Sequence, residues 1–414
     1  MVNVAILGYG VVGSGVAEVI KKNSESIRQR AGTEIKVKWI LDIRDFPGSP
    51  DKDVLTKNAD DVFNDSEVSI VVETIGGARI AHEFTKRALM AGKSVVTSNK
   101  ELVATHGPEL LQMAKENGVS YLFEASVGGG IPIIRPLNQC LAANEINGIT
   151  GILNGTTNYI LTQMKKEGKS FEAALKEAQQ NGYAEQNPTA DVEGHDACRK
   201  IAILSSIAYN EFVDCENIYT EGITKITVDD MKYADAIDGV IKLIAVSKKS
   251  GGKIFARVSP AIVRNEHPLS NVEDVFNAIV VNGDAVGDAM FYGRGAGKLP
   301  TASAVVADVI DIAKHPDSGT AGVWVRTEEN NILPIEESTA RFLVRVNAKN
   351  IADAKKDILS VFGETDFVEL HSKANDNEFA FISGKIAESE FAAKLDKLES
   401  VPDITVLNRI RIEE

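Results

Sequence analysis

The sequence predicts an α/β chain with an N-terminal parallel sheet of Rossmann type, an α+β middle and a C-terminal ferredoxin-like unit. Three observations carry that reading. Over the first 135 residues, short apolar runs alternate with stretches of helical periodicity, the pattern of a parallel sheet covered on both faces. The first run ends in Gly8-Tyr9-Gly10-Val11-Val12-Gly13, a glycine fingerprint set between a strand and a helix. From residue 340 onward the pattern is strand, helix, strand, strand, helix, strand, which is the βαββαβ order.

The elements follow in chain order. Val2–Leu7 is a buried strand and a helix starts at about Val11. Ile35–Leu41 and Val68–Thr74 are the next strands, and Ala78–Ala91 has helical periodicity. Ser94–Ser98 and Val119–Ala125 are two more strands, separated by a helix near Pro108–Glu116. Residues 1–135 are therefore expected to form a dinucleotide-binding domain. The texture changes with a strand at Ile146–Leu153, which runs into Asn154-Gly155-Thr156-Thr157-Asn158, the residues of a turn and helix N-cap. Helices are expected at Thr157–Lys166, Ser170–Asn181 and His195–Tyr209, and strands at Leu243–Val246, Ile254–Val258 and Val275–Val281. A helix at Thr301–Ala313 resumes the α/β texture and could pack back onto the first domain. Residues 136–314 then form a second, α+β domain, and 315–339, rich in turn residues, a linker. The third domain, 340–414, comprises Phe342–Val346, Ile351–Phe362, Phe367–His371, Glu378–Ile382, Ser389–Leu398 and Ile404–Ile412.

Composition excludes several functions. At 414 residues the chain can bury more than one core, and 44% hydrophobic with 25% charged residues is ordinary for a globular protein. A net charge of −14 argues against nucleic acid, which needs a basic footprint. No apolar run is long enough to span a membrane, and the N-terminus enters a strand without a charged, signal-like segment. Cys140, Cys198 and Cys215 are scattered, which points to a reducing cytoplasm and away from a structural zinc site.

The fingerprint has a physical logic. Gly8 permits a tight turn, Gly10 lets the backbone approach a pyrophosphate, and Gly13 lets helix and strand pack closely. At the end of the second strand an acid would bind a ribose 2′-hydroxyl, whereas an arginine would favour a 2′-phosphate. Asp42, Arg44 and Asp45 all stand there, so NAD and NADP both remain open. Glu73-Thr74-Ile75-Gly76-Gly77 and Thr97-Ser98-Asn99-Lys100 end the next two strands, where ligands of parallel sheets bind. Gly76 and Gly77 leave room for a nicotinamide or ribose. Lys100 opens a helix, where a cation is disfavoured, so a place beside the reacting groups is the better reading. Glu124-Ala125-Ser126-Val127-Gly128-Gly129-Gly130-Ile131-Pro132 offers a carboxylate and free carbonyls to a hard cation, or serves as a domain hinge, with a helix restarting at Pro132. Gly293–Ser303 either closes over a cofactor or makes a tight interdomain connection.

The richest stretch is Gly182–Lys200. Asp196 and Lys200 are four residues apart, and with Leu204 and Ile207 they share one helical stripe. Arg199, Ser205 and Ser206 are expected on an opposite, polar face. An ion pair in line with a buried stripe makes Lys200 a candidate acid or base. His195 is expected to be structural and Cys198 to pack.

Six motifs in order identify a resemblance: GYGVVG at Gly8–Gly13, TSNK at Thr97–Lys100, EASVGGGIP at Glu124–Pro132, ILNGTTNYI at Ile152–Ile160, GYAEQNPTADVEGHDACRK at Gly182–Lys200 and GAGKLPTAS at Gly295–Ser303. Over essentially its first 330 residues the chain resembles homoserine dehydrogenase, in the longer form with a C-terminal ACT-like domain. The resemblance implies interconversion of L-homoserine and L-aspartate 4-semialdehyde with NADP or NAD, in threonine, methionine and isoleucine biosynthesis. It implies Lys200 as general acid/base with Asp196 as partner and Lys100 assisting. It implies substrate contacts at Glu185, which would take the ammonium group, and at Asp191, Gly182 and Tyr183. The cofactor is implied along Gly8, Gly10, Val11, Val12, Gly13, Arg44, Thr74, Gly76, Ser98, Asn99, Lys100 and Gly297. A monovalent cation, sodium in the family, is implied at a structural site of Glu124, Val127, Gly129 and Ile131. A homodimer, or a tetramer through the ACT-like domain, is the implied assembly, in the cytoplasm.

One departure concerns regulation. Effector-binding ACT domains carry an acidic-x-Pro-Gly turn after their first strand, but here the turn is Val346-Asn347-Ala348-Lys349-Asn350. A dimerisation or structural role for the tail is therefore expected in place of threonine inhibition. Two other functions compete: another Rossmann-type amino-acid oxidoreductase, and a non-catalytic dinucleotide sensor that would not need Lys200 or Asp196. A phosphorylating aldehyde dehydrogenase would need a reactive cysteine in a site motif, and none of the three is in one.

Overall fold

The computed structural model describes residues 1–319, 322–326, 330–370 and 377–413. It divides into two compact units, one of Met1–Asn147, Arg199–Asn217 and Ile279–Asn330, the other of Gly148–Cys198, Ile218–Ala278 and Asn331–Glu414. Each unit draws on three separate stretches of the chain.

The first unit is built on a six-stranded parallel sheet of β1 (Val2–Leu7), β2 (Ile35–Leu41), β3 (Leu55–Thr56), β4 (Val68–Glu73), β5 (Ser94–Thr97) and β6 (Tyr121–Leu122), in the order β3-β2-β1-β4-β5-β6. That order reverses between β1 and β4, and the crevice outside the carboxyl ends of those strands is the ligand position of such sheets. The register puts Leu7 opposite Leu41 on one side and Glu73 on the other, so the glycine turn after β1 lies between the two strand ends. Val4, Ile6, Ile70, Val72 and Val96 are buried in one core with Val16 and Ile20 of the Val11–Lys22 helix. Ala302, Val305, Val306 and Val309 of the Lys298–Lys314 helix belong to the same core, which is why this late segment joins the first unit. Gly15 makes the helix crossing possible, since a Cβ there would lie 2.9 Å from the Lys298 carbonyl oxygen.

The remaining strands are β7 (Ile146–Ile152), β8 (Tyr219–Thr220), β9 (Gly239–Ser250), β10 (Lys253–Arg264), β11 (Phe276–Gly283), β12 (Gly287–Arg294), β13 (Thr339–Ala348), β14 (Asp366–Val368), β15 (Glu378–Ile382), β16 (Ile386–Ala387) and β17 (Ile404–Glu413). In the second unit β7, β9, β10, β17, β13, β15 and β14 follow one another across one sheet. The C-terminal βαββαβ unit has its own core, in which Phe342 and Phe391 stack at 3.7 Å. It is nevertheless joined edge to edge with β10, because β17 pairs in parallel with it through Ala261 opposite Arg411. Charged side chains fasten the joint: Arg257 pairs with Glu413, and Arg411 pairs with Glu221 at 2.8 Å and Glu388 at 2.6 Å.

Several elements differ from expectation. The helix placed near Pro108 runs over Lys100–Glu116 with Pro108 inside it, because the Asn99 side chain caps it by accepting from the Leu102 N–H at 3.1 Å. The strand placed over Val119–Ala125 is only Tyr121–Leu122; the Glu124 N–H turns away to donate to Asp308 at 2.9 Å. The helix after Pro132 begins two residues later, with Pro136 in its first turn. β12 was not foreseen; most of its side chains are exposed or half-buried, so no apolar alternation marks it. The 315–339 segment is no simple linker: Trp324 is buried against Phe123 and Gly107, and Ile332 bridges to Ile254. Residues 320, 321 and 327–329 of that segment, and His371 of the expected Phe367–His371 strand, lie outside the described residues. No helix among the described residues is long and apolar enough to cross a membrane.

Candidate active site

The turn after β1 is shaped by contacts that only glycine tolerates at two of its three positions. Gly8 has φ +91°, and a Cβ at Gly13 would lie 1.9 Å from the Gly8 carbonyl oxygen. Gly10 is different: a Cβ there would meet only the Arg44 guanidinium, at 3.9 Å. Gly10 precedes a helix with no side-chain cap, so its first-turn N–H groups (Val11, Val12 and Gly13) have no side-chain partner at the cap. Val11 is 67% exposed. A backbone cradle that a Cβ would fill, with positive dipole and open N–H groups, fits the pyrophosphate of a dinucleotide. Gly76 and Gly77 are equally open.

Asp42 and Arg44 resolve into one device. Both oxygens of the buried Asp42 are engaged: Tyr9 N–H donates at 2.8 Å, and the Arg44 backbone, Nε and Nη2 donate at 2.9, 3.0 and 2.8 Å. Those bonds, the Arg44 guanidinium foremost, hold the Asp42 carboxyl well below the usual carboxylate range. The Arg44 side chain itself is 59% exposed and lies over the Phe46 ring. Asp45 pairs with Lys57 at 2.7 Å and stays at the surface.

At the ends of β4 and β5, Glu73 is wholly buried and accepts from Ile75 N–H and Thr97 Oγ1, each at 2.6 Å. Burial pushes its carboxyl up to about 7. Thr74 Oγ1 donates to the Leu7 and Gly8 carbonyls, at 2.9 Å each, and so ties the glycine turn to β4. Asn99 donates to the Ile75 and Gly77 carbonyls at 3.1 and 2.8 Å, so its side chain holds the Glu73–Gly77 loop in place. Ser98 and Lys100 flank it, both half-buried.

The three glycines after Glu124 have a reason the sequence did not disclose. A Cβ at Gly129 would lie 2.2 Å from the Gly295 carbonyl oxygen, and one at Gly130 would lie 2.7 Å from Pro300. The two glycine-rich turns are pressed together, with Gly130 N–H donating to Arg294 at 3.1 Å and Gly297 at φ +123°. Glu124 accepts from the N–H groups of Ile133, Ile134 and Arg135 at 2.6, 2.8 and 2.7 Å. One oxygen takes two of these and the other only one, so acceptor capacity remains. The carbonyls of Val127, Gly129 and Ile131, all in buried residues, find no hydrogen-bond donor among the described residues. Buried carbonyls require a partner, and this donor set suits a hard cation.

In the second unit, Asn154 is the organising residue. Its Oδ1 accepts from Thr157 N–H at 2.8 Å, capping the Gly155–Glu167 helix, and that fixes the amide orientation. Its Nδ2 then donates to Asp191 at 2.7 Å and to Asp196 at 2.8 Å. Two carboxylates from separate segments are thereby held on one amide. The sequence marked Asn154 only as a cap. Lys200, one turn beyond Asp196 on the His195–Tyr209 helix, is 7% exposed, and Asp196 is 4% exposed. Of the polar face expected opposite them, Arg199 is half-buried, but Ser205 and Ser206 are buried, and their hydroxyls donate to the Ile201 and Ala202 carbonyls at 2.7 and 2.8 Å. A serine that satisfies itself on its own helix can face a core, so the pattern misled. Cys198 is buried and His195 exposed.

Gly182 has φ +74° and is exposed; the Tyr183 carbonyl accepts from Thr156 at 2.7 Å, and its ring packs on Tyr159. Glu185 is exposed, and its carboxylate makes no hydrogen bond or ion pair with the described residues. No bond joins it to the Asn154 cluster.

Residues 8–124 match the NAD-binding domain of homoserine dehydrogenase, and residues 132–310 match the homoserine dehydrogenase domain that follows it. The chain is 38% identical to the homoserine dehydrogenase of Bacillus subtilis, over 99% of this chain and 97% of that one. It is also 38% identical to that of Pseudomonas aeruginosa, over 100% and 99% of the two chains. A solved homoserine dehydrogenase from Thiobacillus denitrificans superposes with a TM-score of 0.89 at 37% identity, covering 100% of this chain and 98% of that one. A hyperthermophilic archaeal homoserine dehydrogenase solved with NADPH gives 0.64 at 32% identity, over 75% and 97%. The chain belongs to the homoserine dehydrogenase family.

Proposed function

We propose that the chain interconverts L-homoserine and L-aspartate 4-semialdehyde, with Lys200 as the acid and base of the reaction. The chain is an NAD(P)-dependent oxidoreductase that acts on a CH–OH group. The observation that carries the assignment to Lys200 is the burial of this lysine one turn from Asp196, a carboxylate held by Asn154 together with Asp191. The bound nicotinamide supplies or accepts the hydride. The residues of the chain have to orient the substrate and handle one proton. During reduction negative charge grows on the aldehyde oxygen; the Lys200 ammonium stabilises that oxygen and then donates its proton to it. In the opposite direction neutral Lys200 takes the hydroxyl proton. Lys100 assists at the same oxygen or orients the cofactor. The uncommitted Glu185 carboxylate takes the substrate ammonium, with Asp191, Gly182 and Tyr183 nearby in sequence.

NADP is the favoured cofactor. Asp42 is saturated by Arg44 and Tyr9, so it serves to aim the exposed Arg44 guanidinium toward the open side of Gly10, where a 2′-phosphate would be paired. A monovalent cation is held by Glu124 and the carbonyls of Val127, Gly129 and Ile131; its role is to fix the two glycine turns. The C-terminal unit is ACT-like and structural or dimer-forming: Asn350 accepts from Ala352 and Asp353 N–H at 3.0 and 3.3 Å, so the turn that binds effectors elsewhere caps a helix here. A cytoplasmic homodimer in threonine, methionine and isoleucine biosynthesis completes the proposal. The test is initial rates with L-homoserine and either cofactor, followed at 340 nm. Turnover with NADP exceeding that with NAD supports the proposal; no absorbance change with either would leave a non-catalytic sensor.

A further inference from the structure

The second unit contains a cleft of about 460 Å³ that the proposed chemistry does not use. It opens where the end of β9 and the start of β10 approach the start of β13 and the end of β17. Five cations line it, Lys248, Lys249, Arg257, Arg341 and Lys385, against two acids, Glu337 and Glu413. The whole chain has the opposite balance, 45 Lys and Arg to 59 Asp and Glu, so a basic cleft here is not a consequence of composition. Arg257 supplies the independent observation. It is 5% exposed, its carboxylate partner among the described residues is Glu413 through Nη2, and its buried Nε has no hydrogen-bond partner among those residues. A buried guanidinium donor without an acceptor is costly and rare, and it points to an acceptor that the described residues do not supply. Phe255, Leu333 and Ile412 add apolar wall, and the Arg257 guanidinium lies 5.9 Å from the Phe255 ring centre.

We propose that this cleft binds a small organic polyanion, bearing two or more carboxylate or phosphate groups on a partly apolar body, with Arg257 as its central contact. The volume suits a metabolite-sized ligand. The lining residues come from the β9–β10 hairpin and from the C-terminal unit, so an occupant bridges the two. That is a regulatory position, distinct from the ACT turn at Val346–Asn350.

The experiment is calorimetric titration of the full chain with citrate and, separately, inorganic pyrophosphate. Saturating NADPH is present, so that the phosphate cradle at Gly10 is filled. Variants are Lys249→Glu/Lys385→Glu, at two exposed positions, and Arg257→Lys. Saturable binding of either probe, weakened about tenfold or more in both variants and unchanged in Arg44→Gln, is the expected result; a two-contact loss of this kind matches the worth of charged hydrogen bonds. No saturable binding overturns the proposal. So does equal binding in the wild type and both variants, which means an adventitious ion only, as does loss in Arg44→Gln, which assigns the heat to the cofactor site. If the double variant has altered circular dichroism, the single Lys385→Glu variant replaces it.

Discussion

Asn154→Asp changes one atom of the side chain and reverses what it does. The Oδ1 atom that caps the Gly155–Glu167 helix is retained, and Asp caps as well as Asn, so the cap contribution of about 1 kcal/mol is unchanged. The Nδ2 donor, 2.7 Å from Asp191 and 2.8 Å from Asp196, becomes a third carboxylate oxygen. Each lost hydrogen bond to a charged acceptor is worth roughly 1.5–3 kcal/mol, so the pair amounts to about 3–6 kcal/mol. Repulsion adds to that, and the group can relieve it only by taking up a proton shared among the three acids. If even about 3 kcal/mol of this loss falls on the placement of Asp196 beside Lys200, kcat/KM drops at least about a hundredfold. The deficit shrinks toward acid pH, where the extra proton binds. Rates of homoserine oxidation between about pH 6 and 9, with urea unfolding of the same samples, separate the catalytic loss from the structural one. Wild-type kcat/KM with an unaltered pH profile would refute the idea that Asn154 organises the two acids.

Three further outcomes are expected. Glu73 has a folded-state value raised to about 7 by burial. Its contribution to stability is therefore full below the unfolded value near 4.5 and is lost as pH rises toward 7, by at most about 3 kcal/mol. Glu73→Gln should flatten the urea midpoint over that window, and an unchanged slope would exonerate Glu73. Arg44→Gln should weaken NADP binding about tenfold to a hundredfold, with a smaller effect on NAD, in fluorescence titrations; equal losses would count against a 2′-phosphate contact. Gly13→Ala, whose Cβ would strike the Gly8 carbonyl, should lower thermal stability, whereas Gly10→Ala, in open space, should leave stability intact and reduce cofactor affinity. Equal stability of the two variants would mean the turn is not packed as described.

Much of the fold was legible because its signals are local. β1 and β4, VNVAIL and VSIVVE, are mostly apolar and mostly buried, as strands of a doubly covered parallel sheet are, and the GxGxxG spacing marked the turn between β1 and its helix. Domain organisation was not legible, because it depends on pairings between distant segments. Nothing near residue 300 announces that Ala302 and Val305 share a core with Val16, and nothing near residue 410 announces that β17 will join β10. The same holds for the site. Asp196 and Lys200 were visible as neighbours on a helix. The role of Asn154, 42 residues earlier, depends on a loop closure no periodicity encodes. Asp42 and Arg44 looked like rival cofactor contacts, and only geometry reveals that the acid is occupied by the arginine. Ser205 and Ser206 misled for the reverse reason: their hydroxyls are satisfied within the helix, so a polar pattern sits in a core.

The central claim is that the buried Lys200 moves the proton of the reaction. The direct measurement is steady-state oxidation of L-homoserine at 340 nm by Lys200→Ala, beside NADP affinity and circular dichroism of the same variant. A fall in kcat of about a hundredfold or more, consistent with losing a general acid/base, with cofactor binding and fold retained, is the predicted result. Turnover within a few-fold of wild type would contradict the account.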